Sequence, residues 1–217
     1  MNCKFFPFAA AVFDLDGTLL DSMWVWHAVD RAFFAARGLA VPEDYVEKIQ
    51  PLTFRETAEY TAARFALPES PQEIMAEWEA MSFREYRDHV KLKPGAGEVL
   101  RALRARGVRL GTATNLSAPT ARAVLAQNGV LELFDALTTT EEVPRGKGYP
   151  DIYLLAARKL GVPPGRCVAF DDVAQALRGI RAAGMAACAV REPAMPQDWE
   201  EMTRLADFSI LRFEDML

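Results

Sequence analysis

The sequence is poor in the residues that build disulfide frameworks and zinc sites, with three cysteines and two histidines in 217 residues. Cys3, Cys167 and Cys188 are odd in number, widely spaced and set among apolar or small neighbours, so buried reduced thiols are the expectation. Neither His27 nor His89 lies at ligand spacing from a cysteine, which argues against zinc. A long apolar run is also missing: spanning a bilayer takes about 18 or more apolar residues, and no stretch approaches that, so no membrane partner is expected. Nor is there a basic surplus, because 25 Lys+Arg stand against 30 Asp+Glu for a net charge of -5, with no Lys/Arg run. A general nucleic-acid binder needs such a surplus to displace counterions from phosphates, so no nucleic acid is expected. An anionic substrate would have to be held by local charge or by a metal, since the net field is mildly repulsive.

What is present reads as a folded globule. With 51% hydrophobic and 25% charged residues, the chain has material for one large core and a smaller appended unit. The opening MNCKFFPFAAAVF has the lysine, short apolar run and small residues of a signal peptide. Pro7 interrupts that run, however, and it leads directly into Asp14-Leu15-Asp16, so cleavage after the alanines would destroy a strand. A cytoplasmic, monomeric protein is the expectation.

Short apolar runs suited to buried parallel strands occur at 9–13, 108–113, 136–139, 167–170 and 186–190. Helical patterns with Pro or Gly punctuation lie between them: Pro94-Gly95 to Gly107, Pro119 to Gly129, Pro150 to Gly161, and Val173 to Gly184. Strand and helix in alternation predict an α/β fold, a Rossmann-like doubly wound parallel sheet with helices on both faces. Residues 21–89 break the alternation. Ser22 can cap a helix carrying Val25, Val29 and Phe33, and Thr53-Phe54-Arg55-Glu56 and Ser70-Pro71-Gln72-Glu73 both fit the capping-box pattern. The expected organisation is therefore a sheet domain of residues 1–20 and 90–217 with an inserted α-helical cap domain of residues 21–89, hinged near Leu20-Asp21 and Lys91-Pro94.

The strongest local signal is Phe13-Asp14-Leu15-Asp16-Gly17-Thr18-Leu19-Leu20-Asp21. In an open parallel sheet, ligands bind beyond the carboxyl ends of the strands, where this acidic turn falls. Two carboxylates two residues apart on an extended stretch point to the same side, and Gly17 lets the backbone turn away from them. Close carboxylates repel unless a proton or a cation intervenes. A calcium loop also uses this spacing, but it needs Gly at its sixth position and a flanking helix on each side, whereas Gly17 is fourth and a strand precedes. A bare turn and helix cap is the other alternative.

The pattern resembles the first motif of the haloacid dehalogenase (HAD) superfamily of phosphatases and mutases, and later segments follow in that family's order. Thr114-Asn115 follows the second strand, Lys147 precedes Pro150-Asp151, and Asp171-Asp172 ends the fourth strand before a helix finishing Ala182-Ala183-Gly184. The resemblance covers essentially the whole chain and is similar to the helical-cap branch of β-phosphoglucomutases and small sugar-phosphate phosphatases. It implies a hydrolase acting on a small phosphorylated metabolite. Asp14 would be the nucleophile and Asp16 the general acid and base, with Lys147 offsetting negative charge. Gly17, Thr18, Thr114 and Asn115 would bind phosphoryl oxygens, and Mg²⁺ would sit between Asp14, the Asp16 backbone, Asp171 and Asp172.

Asp16 argues against dehalogenation, since dehalogenating relatives lack an acid there. A mutase reading is weakened because the histidine β-phosphoglucomutases carry twelve residues after the nucleophile would fall at Trp26, with His27 one helical step, about 100°, away. A catalytically idle binding protein is the remaining alternative. Trp24, Trp26 and Arg55 are candidate substrate contacts in the cap, and aromatic packing within the cap is the competing role for the tryptophans. The chain departs from its relatives at Val173 and Ala176, where Ser and Gly are common, and at Gly148-Tyr149, where Pro usually follows the lysine.

Overall fold

The run at the head of the chain becomes an inner strand of the sheet, paired on both sides. The computed structural model describes residues 6–50, 52–195 and 198–217, so Cys3 lies outside the described residues. The strands are β1 (Ala10–Phe13), β2 (Leu20–Asp21), β3 (Lys91–Leu92), β4 (Arg109–Thr112), β5 (Cys167–Asp171), β6 (Ala186–Val190) and β7 (Phe208–Ile210). Five of them form a parallel sheet in the order β4-β1-β5-β6-β7. All four residues of β1 are buried, as a strand covered on both faces requires. From β1 the chain goes first to β4 on one side and later to β5 on the other. The strand order therefore reverses at β1, and its carboxyl end is the switch point where such sheets place ligands.

Two compact units result, one of the chain up to Met23 with Val90–Leu217, the other of Trp24–His89. The first carries the sheet and α5 (Ala96–Ala105), α6 (Ala118–Gln127), α7 (Asp151–Leu160), α8 (Ala174–Ala182) and α9 (Trp199–Leu205). One face of β1 offers Ala10 and Val12 to Ile152, Tyr153, Ala156 and Leu160 of α7 and to Leu177 and Ile180 of α8. The opposite face carries Phe13, whose ring stacks on Phe170 with centroids 4.6 Å apart, while Phe213 tilts against both at 6.5 Å.

The second unit contains α1 (Val25–Ala36), α2 (Tyr45–Ile49), α3 (Phe54–Arg64) and α4 (Pro71–Asp88). Its core is aromatic: Phe34 meets Tyr45 and Phe65 edge-on at 5.0 and 4.8 Å, and Phe33 meets Trp78 at 5.3 Å. The capping boxes at Thr53/Glu56 and Ser70/Glu73 form as their spacing predicts. Ser22 does not cap α1. The helix starts at Val25 after Trp24 with no side-chain cap, which leaves Ser22 two residues short of the cap position, and its hydroxyl donates to Asp16 Oδ1 at 2.7 Å.

Three further differences from the sequence pattern have local causes. Residues 136–139 run beside β4 but form only isolated bridges, because Thr138 N donates to the Thr112 hydroxyl at 2.9 Å instead of continuing the backbone ladder. The segments expected as hinges pair with each other as an antiparallel ribbon, Leu20 with Leu92 and Asp21 with Lys91. β7 was not expected, being three residues long with a serine in the middle.

At Gly179 on α8, a Cβ would lie 2.1 Å from the Lys147 carbonyl oxygen and 3.0 Å from that of Tyr149. The missing side chain lets the loop carrying Lys147 lie directly on the helix. On an open helix, Gly→Ala stabilises by about 1 kcal/mol, whereas overpacking costs about 1–3 kcal/mol. Gly179→Ala is therefore expected to lower stability in chemical denaturation. An increase would show that the loop does not pack here as closely as the geometry requires.

Candidate active site

The carboxyl ends of β1 and β5 lie side by side, and each is followed by acids. Asp14 continues β1 with its amide on the Phe170 carbonyl at 3.0 Å, and Asp171 is the last residue of β5 with Asp172 next. Parallel pairing in register, Val12 with Ala169 and Phe13 with Phe170, thus brings acids far apart in sequence into one place. Oxygens of Asp14, Asp171 and Asp172 all lie within 4.8 Å of one another, and all three residues are buried. Lys147 enters from the loop before α7, with its Nζ 2.8 Å from Asp14 Oδ1 and 2.6 Å from Asp171 Oδ2.

Gly17 completes the crowding. Its φ is +69°, a conformation that side chains disfavour, and a Cβ there would fall 2.5 Å from Asp172 Oδ2. The same turn places the Thr18 hydroxyl on Asp172 Oδ1 at 2.7 Å. Asp16 leaves the other side of the turn, half-buried, and is held by Ser22. A cavity of about 690 Å³ opens over these groups, with Asp14, Asp16, Asn115, Lys147, Asp172 and Val173 in its wall. All of its lining residues belong to the sheet unit.

Burial opposes the charge of Lys147, but Asp14 and Asp171 outweigh it and push the pKa up, so the ammonium stays charged. Burial pushes Asp171 upward, and Lys147 only partly counters this. Asp172 rises to about 6, through burial first and the neighbouring Asp14 second, against the Thr18 hydrogen bond. Three carboxylates thus face one ammonium at close range. Burial also pushes the Cys167 and Cys188 thiols up to about 11 and about 12, and both are free thiols in the core.

Of the residues expected from sequence, Asp14, Asp16, Asn115, Lys147 and Asp172 meet at the cavity. Thr18 is fully buried with its hydroxyl on Asp172, and it does not line the cavity. Thr114 is also fully buried outside the cavity wall, its hydroxyl accepting from Leu116 N at 3.1 Å. Val173 is half exposed and puts an apolar side chain on the wall. Arg55 is exposed on α3, Trp24 half-buried, and Trp26 46% exposed with its ring 5.7 Å from Phe54, all in the helical unit. Sequence reading missed the Ser22 contact with Asp16, whose only sign was the position of Ser22 six residues beyond Asp16. It also missed Lys93 and Glu192, a buried pair at the same sheet end with Nζ 2.6 Å from Oε2. No spacing rule links positions 93 and 192.

The comparisons with known proteins agree with this geometry. The sequence model of the haloacid dehalogenase-like hydrolase family matches residues 8–184. Hexitol phosphatase A of Escherichia coli K12 is 34% identical over 89% of this chain and 86% of its own. A Drosophila melanogaster protein named probable pseudouridine-5′-phosphatase is 30% identical over 93% and 92%. Among solved structures, a HAD family hydrolase from Deinococcus radiodurans with bound phosphate and sodium superposes with a TM-score of 0.74 and 28% identity, over 97% of this chain and 93% of that one.

The raised pKa of Asp172 has a consequence for stability. Between about pH 4 and about pH 6 the unfolded chain ionises this carboxyl while the folded, metal-free protein keeps its proton, so rising pH destabilises the wild type there. Asp172→Asn escapes that loss and can still accept from Thr18. Its melting temperature relative to wild type, both without divalent cations, is expected to climb by a few degrees across that window and then level off. A difference flat from pH 4 to 7 would contradict the burial of this charge.

Proposed function

The chain belongs to the haloacid dehalogenase-like hydrolase family, and we propose that it is a Mg²⁺-dependent phosphatase that hydrolyses a small phosphate monoester through an aspartyl-phosphate on Asp14. The observation that carries this reading is the cluster of Asp14, Asp171 and Asp172 around a single ammonium, Lys147. A divalent cation would bring these four groups to neutrality, and an all-oxygen donor set suits Mg²⁺. Asp14, Asp171 and Asp172 would hold the ion with the Asp16 carbonyl. When bound, it would neutralise charge on the phosphoryl group and on the acids around it.

The protein's own groups supply the remaining chemistry. A carboxylate oxygen of Asp14 attacks phosphorus in line with the ester oxygen, and the P–O bond to the alcohol breaks. Asp16, held by Ser22, gives its proton to the departing alkoxide. In the second step Asp16 takes a proton from water as that water attacks the same phosphorus, releasing inorganic phosphate and restoring the Asp14 carboxylate. Lys147, kept charged by Asp14 and Asp171, offsets the negative charge on the transferred group. Asn115 on the cavity wall donates to a phosphoryl oxygen, while Thr114, buried behind the wall, holds the following loop through its contact with Leu116 N. Gly17 contributes a backbone amide, while the Thr18 amide closes the turn onto Leu15 O and its side chain serves Asp172.

The two curated relatives named above are phosphatases and cover most of this chain, which supports phosphate ester hydrolysis over transfer to a second substrate. The unit of residues 24–89 acts as a cap that selects the alcohol, with Arg55, Trp24 and Trp26 as contacts. With Mg²⁺ present, purified protein is expected to hydrolyse an aryl phosphate or a small sugar phosphate. Asp14→Asn should abolish turnover, and Asp16→Asn should lower it by about 10²–10⁴-fold. Full activity in Asp14→Asn would remove the aspartyl-phosphate. Across a panel of sugar, nucleotide and glycolate phosphates, Arg55→Ala and Trp24→Ala should change the order of preference. An unchanged profile would take these residues out of the substrate site.

A further inference from the structure

Lys93 follows β3, on the segment that returns the chain to the sheet unit. Its side chain is only 14% exposed and its ammonium donates to the carbonyl of Gly17, in the acidic turn after β1. The same ammonium lies 2.6 Å from Oε2 of Glu192, a 4% exposed residue just past the end of β6. Glu192 is anchored in turn, since its Oε1 accepts from Ala194 N at 2.7 Å. Because β5 lies between β1 and β6, the pair reaches across the end of the strand that carries Asp171 and leads into Asp172.

We propose that Lys93 and Glu192 form a strap that positions Asp172: Lys93 pins the Gly17–Thr18 peptide, and the Thr18 hydroxyl aims the Asp172 carboxylate into the acid cluster. The chain of contacts is continuous, from Glu192 Oε2 to Lys93 Nζ, to Gly17 O, and through Thr18 to Asp172 Oδ1 at 2.7 Å. The backbone of Lys93 reinforces it, its amide donating to Leu19 O at 2.8 Å, while Thr18 N and Leu20 N close the turn onto Leu15 O at 3.2 and 2.9 Å. A buried ion pair adds little net stability over apolar packing, so its presence here is better explained by what it holds in place. The positive charge of Lys93 also acts on Asp172 directly, favouring its ionised form. Lys93 and Glu192 are positioning residues, and neither is placed among the groups that touch substrate. The inference rests on the proposed cation site, which Asp172 helps to form.

The test compares wild type with the double variant Lys93→Met/Glu192→Leu, which removes both charges and leaves neither buried alone. Mg²⁺ affinity is measured by calorimetry, and amide hydrogen exchange of the Asp14–Leu20 segment is followed without metal. The double variant is expected to bind Mg²⁺ about 10–100-fold more weakly, the range typical of lost support behind a metal ligand. Its turn amides should exchange faster than in wild type, while KM for an aryl phosphate at saturating Mg²⁺ stays close to wild type. A folded double variant with unchanged Mg²⁺ affinity and unchanged exchange overturns the strap. Should the double variant fail to fold, Lys93→Arg, which retains a donor for both Gly17 O and Glu192, is compared with Lys93→Met. Recovery of affinity and slow exchange in the arginine variant alone supports the proposal, and equal losses in both overturn it. Wild-type protein that takes up no Mg²⁺ would instead overturn the cation site, and the strap would then be judged on turn exchange alone.

Discussion

Mutual repulsion of carboxylates in a buried place is the constraint to which this fold answers. Asp14, Asp171 and Asp172 are brought within 4.8 Å of one another by the register of two neighbouring parallel strands. Like charges at that range, removed from water, are held only if something opposes them. Lys147 supplies one positive charge, and Thr18 supplies a hydrogen bond to Asp172. The negative potential of the cluster faces the cavity, and it is what would attract a divalent cation and the phosphate dianion it carries.

Much of the surrounding architecture serves to keep those charges together. Glycine at 17 admits the Asp172 carboxylate where any Cβ would collide with it, and glycine at 179 admits the loop that delivers Lys147. The stacked rings of Phe13 and Phe170, each one residue before an acid, tie the two strand ends together in the core beneath the cluster. A stable apolar layer immediately under the site is what makes a strained electrostatic arrangement affordable above it. The protein's net charge of -5 has little bearing on a phosphate arriving here, because the nearest charges are those of the site itself.

The parallel sheet, its main helices and the acids at the strand ends were legible in the sequence because they rest on local rules. Apolar runs such as 9–13, capping boxes at Thr53 and Ser70, and glycines closing helices are each readable from a few neighbouring residues. Failures came where a distant partner decided the outcome. Ser22 looked like a helix cap, yet the helix begins only at Val25 and the Ser22 hydroxyl is directed to Asp16. The run at 136–139 looked like a full strand until the Thr112 side chain took one of its amides. Thr18 looked like a phosphate ligand, yet its hydroxyl is directed to Asp172, 154 positions away in sequence. Lys93 and Glu192 carried no signal at all, since a lysine and a glutamate so far apart in sequence reveal nothing of their pairing until strand order is known.

The central claim is that Asp14 is the nucleophile toward phosphorus, with the buried acids holding a cation beside it. Beryllofluoride, which mimics a phosphoryl group on a carboxylate, tests this directly when titrated into the protein and followed by fluorine NMR and crystallography. The account predicts a beryllofluoride adduct on the Asp14 carboxylate that forms with Mg²⁺, is lost when Mg²⁺ is chelated, and does not form in Asp14→Asn. An adduct on another residue, or one that persists in Asp14→Asn, would contradict it.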